Sequence, residues 1–199
     1  MNIHKHDNSV SQDGVNALNM VSVHQKMFYK TQWDIDKWDF GDKAEEAEAD
    51  MAMGMSKEAL MEKYGTESYR GKSYVDGNLR LNTGINVLTN LLAGGGGTAF
   101  NNANARIGVG DSTTAEAATQ TGLQAATNKT YVAMDTSYPT YGTSQQVAFR
   151  ATFGTGSANY AWQEFTVDNG TTSLNRKVSA QGTKTSGQTW QVTITITFS

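Results

Sequence analysis

The chain has no cysteine and a single proline, Pro139, among its 199 residues. The lack of cysteine excludes disulfide bonds, thiolate nucleophiles and thiolate metal ligands. No run of about 18 apolar residues occurs, so the sequence predicts no transmembrane helix. The net charge of −3 argues against general electrostatic attraction to nucleic acid. Histidine is confined to the first 24 residues. These absences favour a structural or binding protein over an enzyme, and they predict no catalytic residues and no cofactor or metal site.

The C-terminal segment is the clearest positive signal. Apolar side chains occupy every second position from Trp190 to Phe198, and threonine or glutamine occupies the positions between them. Alternation of this length predicts a β-strand with one face in a core and the other toward water or a partner. Such an apolar strand left bare invites aggregation, so we expect it to close a sheet and to be central to the assembly of an all-β C-terminal domain.

The second half of the chain predicts further strands separated by turn-rich segments. The segment Asp168-Asn169-Gly170 between two of them is a strong hairpin signal. Little helix is predicted between the strands, which favours an antiparallel β-sandwich, Ig-like or jelly-roll-like. The predicted strands lie near residues 105–109, 129–135, 145–153, 161–167, 174–180 and 189–198.

Two short helical regions are predicted in the first half. Residues 43–64 are rich in helix formers with acids early in the segment, and Gly54 is expected to divide them, with Ser56 capping the second part. Residues 78–93 carry leucine and isoleucine at helical spacing, and Gly94 supplies a stop. We expect this second helix to cover an open face of the sheet.

Charge is distributed unevenly, with 24 charged side chains in residues 1–98 and 11 in residues 99–199. The four glycines from Gly94 to Gly97 separate the two regions, as a module boundary or as a long loop within one domain. The predicted organisation is therefore an extended N-terminal arm over residues 1–42, a helical segment with a Gly-rich linker over 43–98, and a β-sandwich domain over 99–199.

The first half also holds large apolar side chains in a setting poor in other core residues. Such side chains either cover the β-domain of the same chain or anchor the arm to another subunit. We take the second reading as the working hypothesis for partner binding. The candidate residues are Phe28, Tyr29, Trp33, Trp38, Phe40, Met51 and Met55.

Glu164 is one of only five acids after residue 98. We expect it to form an internal ion pair with Arg150 or Arg176 in preference to a catalytic role. Paired-carboxylate catalysis would require two acids in a cleft, and the pattern of acids indicates none. Exposed tyrosines near loops, Tyr138, Tyr141 and Tyr160, are instead candidates for contact with a glycan.

Several phrases of the sequence, taken together, resemble a family of virion structural proteins of tailed bacteriophages, described as minor capsid or tail-associated. The resemblance covers about residues 79–199. The phrases are Leu81-Asn82-Thr83-Gly84-Ile85-Asn86, Phe100 through Ala115, Ala161-Trp162-Gln163-Glu164-Phe165, Leu174-Asn175-Arg176-Lys177-Val178 and Gly187-Gln188-Thr189-Trp190.

The resemblance implies a non-enzymatic role in the virion, with assembly in the host cytoplasm. We expect a capsid decoration or minor capsid protein that stabilises the shell through its N-terminal arm. The implied partners are the major capsid protein or other virion proteins, and further copies of the chain, a trimer among the options, without nucleic acid or membrane. The alternatives are a tail or fibre protein that adheres to the host, and a carbohydrate-binding β-sandwich module.

Overall fold

The computed structural model describes residues 29–198, which form two antiparallel sheets of five strands each. The first sheet has the strand order β2-β1-β10-β7-β6, and the second has the order β3-β9-β8-β4-β5. The strands are β1 (Tyr29–Trp38), β2 (Tyr69–Asp76), β3 (Leu79–Arg80), β4 (Arg106–Gly110), β5 (Lys129–Ala133), β6 (Thr140–Thr143), β7 (Gln146–Phe153), β8 (Ala161–Asp168), β9 (Asn175–Thr183) and β10 (Thr189–Phe198).

The predicted antiparallel β-sandwich is confirmed, and the six strands expected after residue 99 are all present. Strand β10 lies in the middle of the first sheet, between β1 and β7. Its apolar positions face the main core, where Val192, Ile194 and Ile196 meet Phe165 and Val167 of the second sheet. The alternation in the sequence is therefore the alternation between this core and the outer face of the first sheet.

Strand β1 corrects the prediction of an extended arm over residues 1–42. Each residue from Tyr29 to Trp38 pairs with a residue of β10, and most also pair with β2. Trp33 and Ile35 are fully buried in the main core. The sandwich thus draws strands from all three predicted modules, and the predicted boundaries at residues 42 and 98 do not separate folded units. The rest of the predicted arm, residues 1–28, lies outside the described residues.

Residues 29–198 form three α-helices where two helical regions were predicted: α1 (Ala44–Ala52), α2 (Lys57–Tyr64) and α3 (Asn82–Leu92). The first region divides at Gly54, which has a φ of +95°, and the Ser56 hydroxyl accepts a hydrogen bond from the Ala59 amide as the predicted cap of α2. Helices α1 and α2 cover the outer face of the first sheet at one end. There the Thr189 hydroxyl donates to the Glu48 carboxylate on α1.

The second sheet is covered on its outer face by a long loop between β4 and β5. We call residues 111–128 the covering loop. Its ends meet, because Asn128 donates to the Asp111 carboxylate and the Asp111 amide donates to the Asn128 carbonyl. Leu123 and Ala125 of this loop are buried. Both sheets therefore have one face in the main core and part of the other face covered by a separate segment.

Strands β8 and β9 form the predicted hairpin. They pair antiparallel, and the turn residue Gly170 has a φ of +89°, a conformation that glycine adopts without steric cost. Asp168 and Asn169 fix the turn through their side chains, which accept hydrogen bonds from backbone amides within it. The Asn-Gly pair thus directs the chain back along β8, as expected from the sequence.

Candidate functional site

The residues predicted to bind a partner lie mostly in the interior of the chain itself. Trp33, Trp38 and Met51 are at most 1% exposed, and Phe40 is also buried. The prediction that these four side chains anchor the chain to another subunit is wrong, because their apolar surface is already covered by their own chain. The alternative prediction, that these side chains pack within their own chain, agrees with their positions in its two apolar clusters.

The remaining candidates have less covered positions. Tyr29 is partly buried and stacks edge-on against Phe198, with ring centroids 5.5 Å apart. Met55 is partly buried beside the second apolar cluster, which is built from Trp38, α1 and α2. Phe28 lies outside the described residues. Of the predicted set, only Tyr29 and Met55 therefore offer described surface to another molecule.

The second apolar cluster explains why Trp38 is buried although it follows the last core position of β1. Trp38 lies on the opposite side of the strand from Trp33 and Ile35, since side chains alternate. It stacks on Phe40 with centroids 5.2 Å apart, and Phe40 meets the ring of Tyr64 on α2. The aromatic side chains therefore attach the two helices to the first sheet.

Glu164 forms the predicted internal ion pair, and its partner is Arg176. The Nε atom of Arg176 lies 2.7 Å from Oε2 of Glu164, and both side chains are fully buried. The Glu164 carboxylate also accepts hydrogen bonds from the amides of Gln124 and Ala125, while Arg176 donates to the Thr114 carbonyl. The pair therefore holds the covering loop against β8 and β9, which is a structural role.

Two other buried ionisable groups hold loops in place. Asp135 accepts hydrogen bonds from Arg150, Thr152 and Gln191 on the outer face of the first sheet. Burial raises the pKa of Asp135 from its usual range, and the positive charge of Arg150 opposes that change. The carboxylate thus fixes the segment between β5 and β6 to the sheet.

Lys184 is fully buried, and its ammonium group donates to the carbonyls of Gly154 and Ser157 and to Oδ1 of Asn159 at 2.7–2.9 Å. Burial lowers the pKa of Lys184 to about 8, and the negative charge of Glu48 acts in the opposite direction. The three acceptors belong to the connection between β7 and β8. Lys184 therefore fixes that connection to the segment that follows β9.

One surface groove lies beside α3. It has a volume of about 520 Å³ and is lined by Tyr29, Asn78, Leu79, Arg80, Asn82 and Ile85. Leu92, two helical turns after Ile85 and on the same side of α3, is 90% exposed. Gly84, one residue before Ile85, packs directly on the backbone of Leu174. We call Tyr29, Leu79, Ile85 and Leu92 the α3 surface.

The second groove lies at the β6 edge of the first sheet and has a volume of about 440 Å³. Tyr138 and Tyr141 contribute aromatic rings to it, and Tyr141 is 76% exposed. Asn101 and Asn102 approach from the loop before β4. We call this the tyrosine groove, and it is lined by Asn101, Asn102, Ala103, Ser137, Tyr138, Pro139 and Tyr141.

Tyr160, the third candidate for glycan contact, lies elsewhere. Its hydroxyl is within hydrogen-bond distance of the Val109 carbonyl and of the Thr130 hydroxyl. These contacts attach the residue before β8 to β4 and β5, so Tyr160 stabilises the second sheet. The structure brings together Tyr138 and Tyr141 and leaves Tyr160 apart from them.

Within residues 29–198, no group of three or more histidine, aspartate and glutamate side chains is placed to hold a metal ion. None of the helices in this part of the chain has the length and apolar character to cross a membrane. Comparison with protein-family models, curated proteins and solved structures gave no match. We take the groove beside α3 and the tyrosine groove as the candidate sites.

Sequence reasoning identified Tyr138 and Tyr141 but missed the asparagines that complete the tyrosine groove. Asn101 and Asn102 are more than 30 residues away in the chain, and no local pattern links them to the tyrosines. The sequence did contain a signal for the α3 surface, because the apolar face of α3 is wider than the helix needs for its contact with the sheet. Leu92 at the end of that stripe was assigned to the buried face and is exposed.

Proposed function

We propose that the protein is a non-enzymatic structural component of a tailed-bacteriophage particle, a decoration or minor capsid protein bound to the shell. The resemblance of residues 79–199 to virion structural proteins supports the class. The structure changes the proposed mode of attachment, because Trp33 and Trp38, which were predicted to anchor the arm to another subunit, are core residues. We place the attachment on residues 1–28 together with the α3 surface.

The observation that supports this attachment is the position of Tyr29. Tyr29 begins β1, and its ring lines the groove beside α3. The peptide bond that leads into β1 therefore lies beside an apolar surface. Leu92 and Ile85 extend that surface along one side of α3. Burying exposed side chains of this kind contributes about 1.5–3 kcal/mol each, and the symmetry of a shell repeats the gain at every site.

Binding to empty shells tests the proposal. Full-length protein is mixed with purified shells that lack it, and the bound fraction is measured by co-sedimentation. A variant without residues 1–28 should lose binding, and Leu92→Gln should weaken it about tenfold or more, because one apolar contact of this size is removed. The truncation ends at residue 28 so that β1 remains complete.

Met53→Gln is the matched control. Met53 is an apolar residue of similar size that is 72% exposed, and it lies at the C-terminal end of α1 rather than on α3. It should bind like the unchanged protein. Equal occupancy of the shell by the truncated chain would refute the proposed attachment.

Copy number in purified particles separates this role from that of a tail or fibre protein. A shell protein is expected in hundreds of copies, and a fibre protein in few. Quantitative mass spectrometry of particles, with the major capsid protein as the internal standard, gives this number. A count of only a few copies per particle would favour the tail reading over the shell.

A further inference from the structure

We propose that the tyrosine groove is a binding site for neutral carbohydrate. The groove combines an exposed aromatic ring with a free amide nitrogen and a free amide oxygen on the loop before β4, which hydrogen bonds hold to the segment between β5 and β6. This site is distinct from the α3 surface and from the attachment to a shell proposed above.

The aromatic component is Tyr141. Its side chain is 76% exposed on β6, the edge strand of the first sheet. A tyrosine ring offers a broad apolar face at low cost in conformational entropy. Hexose rings present a matching face of C–H groups, so one sugar ring can stack on Tyr141 while its hydroxyls point to the sides. Tyr138 lies beside it, and one face of the Tyr138 ring is already covered by the Arg150 guanidinium 4.3 Å away.

The polar component is a donor and an acceptor on two adjacent residues of the lining. Asn101 uses Oδ1 to accept from the Asn104 amide, and its Nδ2 donates to no group of residues 29–198. Asn102 uses Nδ2 to donate to the carbonyls of Asp135 and Tyr138, and its Oδ1 accepts no hydrogen bond from this part of the chain. One free donor and one free acceptor suit a sugar hydroxyl, which both accepts and donates.

The groove is held in shape before any ligand binds. The Asn102 side chain links the loop before β4 to the segment between β5 and β6. That segment is fixed in turn by the bond from the Asp135 amide to the Arg150 carbonyl and by the bond from the Tyr138 amide to the Asp135 carbonyl. A site formed in advance loses little entropy when it binds, and this matters for weak ligands such as sugars.

The charges at the groove indicate a neutral ligand. The seven lining residues carry no ionisable acid or base other than the two tyrosine hydroxyls. Arg150, whose guanidinium covers one face of the Tyr138 ring, is paired with the Asp135 carboxylate at 2.9 Å. An anionic sugar would therefore meet no unpaired cation in the lining. The volume of about 440 Å³ lies within the range of small-molecule sites.

Affinity electrophoresis of the full chain tests the site. Native gels are cast with one of four neutral polysaccharides (dextran, starch, galactomannan or mixed-linkage β-glucan) or with anionic heparin. We expect at least one neutral polysaccharide to retard the protein, and heparin to leave its mobility unchanged. Tyr141→Ala should weaken the retardation at least tenfold in apparent Kd. Asn101→Asp should also weaken it, because it keeps the acceptor for the Asn104 amide and removes the free donor.

Tyr74→Ala is the matched control. Tyr74 is also an exposed tyrosine, 62% exposed, but it lies on β2 at the opposite edge of the same sheet. It should leave the retardation unchanged. The proposal is overturned if no neutral polysaccharide retards the protein, if heparin alone does so, or if Tyr141→Ala is retarded as strongly as the unchanged chain. Circular dichroism of each variant shows whether a lost interaction reflects the site or the fold.

Discussion

Lys184 is a charged side chain that the fold surrounds completely, and its ammonium meets three acceptors within hydrogen-bond distance. A buried amine of this kind is costly to place in the interior unless every proton finds a partner. The acceptors come from the connection between β7 and β8, a segment without regular structure. The Lys184 side chain thus holds this connection in place through hydrogen bonds, as backbone pairing holds the strands.

We predict a pH dependence of stability that originates at Lys184. Its pKa of about 8 in the folded protein lies below the usual value of 10.5. Between these values the unfolded chain binds more protons than the folded one, so the free energy of unfolding should rise with pH in this window. Urea unfolding at pH 7.5, 8.5 and 9.5 measures it.

Lys184→Met is the reference protein. Tyrosines that titrate in the same pH range change the free energy of unfolding of both proteins alike, so the difference between the two proteins reports on Lys184. The difference in unfolding free energy between the unchanged chain and Lys184→Met should shift in favour of the unchanged chain as pH rises. A difference that is independent of pH, or that falls, would contradict the lowered pKa.

At the scale of elements, the covering loop shows how a long connection is kept on a sheet. Eighteen residues without a regular element would ordinarily be mobile or functional. Here Glu164 accepts two backbone amides of the loop and Arg176 donates to the loop carbonyl of Thr114. The Glu116 carboxylate adds a third attachment by accepting from the Val178 amide on β9. The loop is therefore held from both strands that it covers.

We predict that Arg176→Met destabilises the protein by about 3–5 kcal/mol, since it leaves the buried Glu164 carboxylate without its cation. The double variant Glu164→Gln, Arg176→Met should recover part of this loss, because glutamine fills the same space without a charge and still accepts from one loop amide. Urea unfolding of the two single variants and the double variant gives the coupling between the residues. Losses that simply add would mean that the two side chains act independently.

The strands that could be predicted from the sequence are those with strict alternation and few charges. Strand β10 is the clearest case, and Glu164 on β8 shows that even a buried ion pair was foreseeable where acids are rare. Strand β1 has the same alternation at Thr31, Trp33 and Ile35, but with Asp34 and Asp36 beside them the segment shows no sustained apolar periodicity, and it was predicted to be part of an extended arm. Those aspartates lie on the outer face of the sheet, which is where the alternation places charge.

The tyrosine groove could be predicted only in part, for a different reason. Exposed tyrosines near loops are visible in the sequence, whereas the approach of Asn102 to Tyr138 depends on how two distant loops pack. Strand β6 was missed because all four of its residues are exposed and give no apolar pattern. Local chemistry was thus readable from the sequence, and the juxtapositions created by tertiary structure were not.

At the scale of the whole molecule, the first sheet is centred on the pairing of β1 with β10, two strands that are far apart in the sequence. Tyr29 on β1 lies opposite Phe198 on β10, and the ladder continues for ten residues to Trp38 and Thr189. Strand β1 thus belongs to the body as firmly as the strands of the second half. This predicts a sharp limit to truncation from the N-terminal side.

We predict that the chain without residues 1–28 folds, and that the chain without residues 1–38 does not. The first deletion keeps every strand of residues 29–198 and both of their apolar clusters. The second removes β1 and with it Trp33, Ile35 and Trp38, all at most 1% exposed. Truncating a buried tryptophan to alanine alone costs about 3–5 kcal/mol, and a typical domain has only about 5–15 kcal/mol in total. Thermal unfolding followed by circular dichroism distinguishes the two: a cooperative transition is expected for the first truncation and none for the second. A cooperative transition in the chain without residues 1–38 would show that the sandwich folds without β1. The prediction that this segment is an arm outside the folded domain would then be supported.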